Sequence, residues 1–216
     1  MPKTDDHRRP LFARCYARVS PRMEAQGMAA LRAELLAGVR GRVVEVGAGN
    51  GLNFTHYPPE TTEVSAVEPE PYLRRLAEQA TRQAPVPVTV LPGSAGSLPL
   101  ETGSADVGVA SLVLCSVENQ QAALRELHRV IRPGGELRFL EHVRADARRL
   151  LQLQQIAQAT VWPLLAGGCH PARDTAAGII AAGFEITSVR RFRFPEGRIP
   201  VPTDPHVLGI AVRSEG

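Results

Sequence analysis

The sequence predicts an α/β fold: a mostly parallel sheet, doubly wound, with helices on both faces. Three observations point there. Short β-branched runs alternate with segments of helical period. The run Val43–Asn53, "VVEVGAGNGLN", passes from an apolar strand straight into a glycine-rich turn. The last two strands are joined by a proline-rich loop, "FPEGRIPVPTDP", with no helix between them, which fits an antiparallel pair closing one end of the sheet.

Taken in order, residues 10–37 read as helical, with a break near Ser20-Pro21, where proline can start a helix after a serine cap. A strand at Arg42–Val46 leads into the glycines, and a short helix beyond them stops at Pro58-Pro59. Glu63–Val67 is a second strand with Glu68 at its carboxyl end. Helix Tyr72–Arg82 and strand Val86–Leu91 follow, then a strand over Ala105–Ala110 that opens into a loop. Helix Gln120–Ile131 carries Leu124, Leu127 and Ile131 at helical spacing, and Pro133-Gly134-Gly135 ends it. Strand Glu136–Leu140 comes next. The last third holds helices at Leu150–Val161 and Asp174–Ala182, the second stopped by Gly183, and strands Glu185–Phe192 and His206–Val212.

With 216 residues, the chain has room for one such domain and a small appendage. The division is a helical cap (1–40), a cofactor-binding core (41–143) and acceptor-side helices with closing strands (144–216). Four glutamines interrupt the apolar stretch 150–165, so it reads as no membrane span. No apolar run follows the charged N-terminus, so no secretory signal is expected, and a cytoplasmic location is the default. Three scattered cysteines (Cys15, Cys115, Cys169) make no disulfide framework. The net charge is +3, and 24 of the 25 basic residues are arginine. They are spread along the chain apart from Arg8, Arg9, Arg14, Arg18 and Arg22, which crowd the N-terminal segment. That cluster reads as a solvated helix face rather than an anionic-partner site, so nucleic acid is not the expected partner. A small-molecule partner is expected; the sequence sets no oligomeric state.

The glycines decide among nucleotides. A dinucleotide turn is G-x-G-x-x-G, whereas Gly47, Gly49 and Gly51 form G-x-G-x-G, with Leu52 where the third glycine would stand. No phosphate-binding lysine follows. Glu68, about 20 residues on, has the spacing for gripping two ribose hydroxyls, and it would repel a 2′-phosphate.

Three further stretches, "GSAGSLPLETGSADVGVASLVL", "LRELHRVIRPGG" and "FLEHV", resemble S-adenosylmethionine-dependent class I methyltransferases. "LVLCSV", "RVIRPGGELRFLEHV", Trp162, "GGCHPARDT" and "AGF" are similar to the methyltransferase-like 7 group, whose animal members are membrane-associated alkyl-thiol methyltransferases. This chain departs from the group twice. It begins with an arginine-rich polar helix where animal members carry an apolar anchor. It also has Ser94 where many methyltransferases place an aspartate in the adenine loop.

The resemblance implies a Rossmann-like, seven-stranded sheet with a reversed last strand and S-adenosyl-L-methionine as cofactor. The expected cofactor residues are Glu45, Gly47, Ala48, Gly49, Gly51, Asn53, Glu68, Pro69, Ser94, Ala95, Ser111 and Leu112. Ligands in such sheets lie beyond the strand ends. This places Leu114, Cys115 and Ser116 toward the acceptor, with Glu141 and His142 as catalytic candidates; His142 titrates in the range of a general base. Trp162 and His170 are assigned to the pocket wall, with Phe12 and Tyr16 as a lid. Cys169-His170 has no second ligand pair at zinc spacing, so no metal is expected. Class membership leaves the acceptor open: a thiol is favoured, an O- or C-methyltransferase of a natural product or quinone is the alternative, and a non-catalytic cofactor-binding regulatory module is the reading outside enzymes.

Overall fold

The computed structural model describes residues 9–160, 162–195 and 201–215. Its sheet has seven strands: β1 (Gly41–Val46), β2 (Thr61–Val67), β3 (Val88–Leu91), β4 (Ala105–Ser111), β5 (Ile131–His142), β6 (Phe184–Arg193) and β7 (Pro205–Arg213). Their order is β3-β2-β1-β4-β5-β7-β6. β7 runs antiparallel to both β5 and β6, so the reversed last strand is present. Residues 196–200 of the proline-rich connection lie outside the described residues.

Side chains alternate across the strands, as the two-residue period requires. Val44 and Val46 of β1 join Leu124 and Leu127 of α4 (Gln120–Val130) on one face. Val43 points to the other face, beneath Leu35 and Leu36 of α2 (Ala29–Leu36). Glu45 shares that second face, which is why a carboxylate so near the glycine turn is buried. Caps fix several helix starts. The Glu70 carboxylate accepts from the N–H groups of Tyr72 and Leu73, and Pro71 opens α3 (Pro71–Ala80), a favourable pairing of cap and first-turn proline. Asn119 caps α4 through the Ala122 N–H.

The N-terminal segment differs from the sequence expectation. Helix α1 (Pro10–Met23) continues through Pro21, and the kink falls at Gly27, whose φ of 118° lies in the left-handed region. Glycine takes that conformation without a Cβ penalty. The segment therefore divides into two parts with different duties. α1 buries little beyond Ala13 and Ser20, whereas Met28, Leu35 and Leu36 are sealed in the core. Among the described residues, no helix is long and apolar enough to cross a membrane.

Truncation separates the two parts. Removing residues 1–23 should leave the sheet folded, read as a cooperative urea transition. Removing residues 1–37 also takes Met28, Leu35 and Leu36, each a burial of about 1.5–3 kcal/mol. That loss is comparable with the whole stability of a domain, about 5–15 kcal/mol, so the longer truncation should not fold. Equal midpoints for the two forms would show that α2 is a cover and not core.

Candidate active site

The site forms where β1, β2, β4 and β5 end. At the glycine turn, the N–H groups of Gly47 and Ala48 donate to the Val67 carbonyl and extend the parallel pairing. Gly49 then adopts φ 58° and donates its N–H to Glu68 at 2.8 Å, while Glu70 N–H donates to the other Glu68 oxygen at 2.9 Å. Glu68 is thus a pre-aimed acceptor at the end of β2. Burial raises its pKa to about 7, partly opposed by these two amide bonds. A side chain at Gly47 would run into Val113, so the turn and the loop after β4 need this glycine to lie together.

Beneath the turn, polar groups satisfy one another. Asn53 and Tyr57 donate to the two oxygens of Glu45 at 2.9 and 2.6 Å. Arg32 donates to Asn53 at 2.8 Å and to the Ser111 hydroxyl at 3.0 Å, and it pairs with Glu24. Burial pushes Glu45 up to about 7. Glu45 and Asn53, expected at the cofactor, are both buried and partnered inside the protein; they brace the turn from below. Ser94 and Ala95 sit in a tight turn beyond β3, closed by the Ser97 N–H on the Ser94 carbonyl. Glu126 anchors that turn by accepting from Leu98 N–H at 2.8 Å. Pro69 follows Glu68, and its carbonyl accepts from Arg74.

The loop after β4 depends on Glu141. Leu112, at φ 59°, is the non-glycine residue in the left-handed region among those described. After it, the N–H groups of Val113 and Leu114 donate to one Glu141 oxygen at 2.9 and 2.8 Å, and Cys115 N–H donates to the other at 3.0 Å. Glu141 has no exposed surface, and its carboxylate anchors the loop from beneath. Next to it, His142 Nδ1 lies 3.4 Å from Cys115 Sγ and 3.6 Å from Cys169 Sγ. The Cys115 Sγ also touches the Ser116 hydroxyl. The closeness of the two thiols pushes Cys115 up, with burial adding to the rise, and Cys169 is pulled down by Cys115 and by His142 beside it.

Sequence reading missed this grouping. Cys115 was placed toward the acceptor and Cys169 was left without a ligand set, because 27 residues separate His142 from each cysteine, a spacing no ligand motif has. A second loop supplies Cys169. His170 N–H donates to the Cys115 carbonyl at 2.8 Å, and Arg173 donates to the carbonyls of Leu114 and Val117 at 2.8 and 2.6 Å. His206 was missed as well; its ring centre lies 4.6 Å from that of His142.

Helix α1 lies across the site. Tyr16 packs over Gly49, Phe12 packs on Gly167, and the two rings stack at 5.9 Å. Trp162, at the start of a short helix (Trp162–Leu165), is partly exposed. A cavity of about 330 Å³ lies between α1 and the β6–β7 hairpin, against His142, His206, Val19, Met23, Phe194 and Val201. An open groove of about 580 Å³ between α2 and the hairpin contains none of the candidate residues.

A methyltransferase domain family matches residues 44–139. The chain is 34% identical over 184 residues to the human thiol S-methyltransferase TMT1A, covering 82% of this chain and 73% of that protein. It is 31% identical over 143 residues to the ubiquinone/menaquinone biosynthesis C-methyltransferase UbiE of Syntrophotalea carbinolica, covering 65% of this chain and 60% of that one. Among solved structures, the [4+2]-cyclase SpnF is similar with a TM-score of 0.68 at 18% identity, over 89% of this chain and 82% of that one. A geranyl diphosphate methyltransferase in complex with S-adenosylmethionine has a TM-score of 0.63 at 14% identity, over 87% and 85%. At these identities the structures speak for the fold.

The Glu68 carboxylate generates a prediction for cofactor binding. Hydrogen bonds to a charged acceptor contribute about 1.5–3 kcal/mol, so Glu68→Ala should weaken S-adenosylhomocysteine binding at least ~10-fold in calorimetry. Only the carboxylate accepts from two hydroxyls. Affinity in the wild type should therefore hold above pH 7 and fall as the pH drops through about 7, and Glu68→Gln should flatten that dependence. Unchanged affinity in Glu68→Ala would reduce Glu68 to a loop brace.

Proposed function

The chain belongs to the class I S-adenosylmethionine-dependent methyltransferases, within the methyltransferase-like 7 group, and from that premise we propose that it methylates a small, fairly apolar thiol. The observation that carries this reading is the cavity against His142, walled on one side by Val19, Met23, Phe194 and Val201, in a chain whose relatives include two human thiol S-methyltransferases. When bound, S-adenosylmethionine would supply an activated methyl group for the acceptor sulfur.

The chain's own residues hold, orient and exclude water. Glu68 and the Gly47–Gly51 turn would hold the ribose and the amino-acid end, and the Ser94-Ala95 backbone would meet the adenine. Their fit rests on Glu68, held by two amides at the end of β2, and on the close approach of backbone at Gly49. Tyr16 and Phe12 of α1 cover the site and keep water out. On the acceptor side, Val19, Met23 and Phe194 suit an alkyl or aryl group. A thiol, with a pKa near ~8.5, yields its nucleophilic form with little help. A phenol near ~10 needs a dedicated base, and Glu141, the carboxylate nearest the acceptor loop, is committed to three amides.

The likeness to a quinone C-methyltransferase supports one rival acceptor, a quinol ring carbon. Incubation of the purified chain with S-adenosylmethionine and matched thiols, phenols, amines and quinols, followed by mass spectrometry, decides between them. Thiols should lead by at least ~10-fold in kcat/KM, about 1.4 kcal/mol of transition-state preference. A quinol or phenol turned over faster than every thiol would overturn the assignment.

A further inference from the structure

Three soft or borderline donors converge at the carboxyl ends of β4 and β5. The Sγ atoms of Cys115 and Cys169 and one nitrogen of His142 all lie within 4.8 Å of one another. Both cysteines are buried, and His142 is partly exposed. Tetrahedral zinc, with Zn–S of ~2.3 Å and Zn–N of ~2.0–2.1 Å, sets sulfur and nitrogen ~3.5 Å apart. The two sulfur–Nδ1 distances are 3.4 and 3.6 Å.

Hydrogen bonding explains this grouping less well. One imidazole nitrogen carries either one proton or one lone pair, yet Nδ1 faces two sulfurs. A cation at the centre of the triangle satisfies all three donors at once. The supports around them also suit a metal. Glu141 and Arg173 fix the Cys115 loop, and His170 N–H ties the Cys169 loop to it. Beside the His142 ring, the buried His206 donates from Nδ1 to the Asp204 carbonyl at 2.8 Å. Its Nε2 is then an acceptor with no partner among the described residues. A metal-bound histidine needs such an acceptor for its second N–H.

We propose that Cys115, His142 and Cys169 bind one zinc ion, and that the acceptor sulfur takes its fourth position. Cys2His with one open position is a catalytic and not a structural zinc set. On binding, the two cysteine thiols release two protons to solvent and ligate as thiolates. The acceptor thiol releases a third proton as its sulfur joins the ion. That sulfur keeps a lone pair that forms the new S–CH3 bond while the methyl–sulfonium bond breaks, leaving a thioether and S-adenosylhomocysteine. The second half of this proposal rests on the thiol reading above.

The test uses the full, reduced chain titrated with zinc or cobalt(II) alone. One metal per chain should bind, with thiolate-to-cobalt absorption. Cys115→Ser and Cys169→Ser should each weaken binding by more than the ~10–100-fold that loss of an outer partner costs, whereas Cys15→Ser, at an exposed position on α1, should bind as wild type. X-ray absorption on the wild type should show two sulfurs and one imidazole, a readout that stands even if the variants fail to fold. A small alkyl thiol should then shift the cobalt spectrum. No stoichiometric metal, or metal retained when both Cys115 and Cys169 are replaced by serine, overturns the site. A cobalt spectrum indifferent to thiol, or full thiol methylation in chelator-treated, metal-free protein, overturns the role at the fourth position and leaves the thiol reading intact. Metal bound as described with no thiol methylated overturns the thiol reading and leaves the site intact.

Discussion

The active end of this molecule depends on one buried carboxylate. Glu141 accepts three consecutive amide N–H bonds, and it thereby satisfies the buried donors of Leu114 and Cys115 in the 112–116 loop. Burial raises its pKa, and the three amides oppose that rise. A buried carboxylate without such partners would cost several kcal/mol. The parallel pairing of Ser111 with Leu140 sets Glu141 directly under the loop. Leu112 turns the chain through the left-handed region, and Cys115 arrives beside His142. Arg173 and His170 then attach the second loop to the first, which brings Cys169 in. Each step relies on the one before it.

A second polar network does for the cofactor side what Glu141 does for the acceptor side. Glu45, Asn53, Tyr57 and Arg32 form a closed set beneath the glycine turn. Arg32 reaches Ser111 at the end of β4, so the two halves share a member. Such networks are favourable when every member is satisfied and costly when one is missing. This explains why α2, the source of Arg32, belongs to the core while α1 only covers it.

Much of the fold was legible because its signals are local. The alternation of strands and helices, the G-x-G-x-G turn and the missing helix before the last strand need only short windows of sequence. Glu68 was legible too, since a fixed spacing ties it to the turn. The helix break was misplaced at Ser20-Pro21 because proline is the stronger local signal; Gly27 owes its role to packing against the hairpin, where Phe194 lies within contact distance. The Cys115–His142–Cys169 grouping had no linear signature, because its members come from three segments joined only by strand pairing and loop contacts. The burial of Glu45 and Asn53 was not legible either, because it comes from packing: the two-residue period of β1 turns Glu45 inward beneath α2.

In the proposed arrangement, a cofactor held at Glu68 presents its sulfur to the loop that Glu141 anchors. A crystal structure of the chain with S-adenosylhomocysteine tests this most directly. The account predicts ribose hydroxyls on Glu68, adenine against Ser94-Ala95, and the sulfur turned toward Cys115 and His142. A bound molecule whose sulfur points away from the ends of β4 and β5, out of reach of both residues, would contradict it.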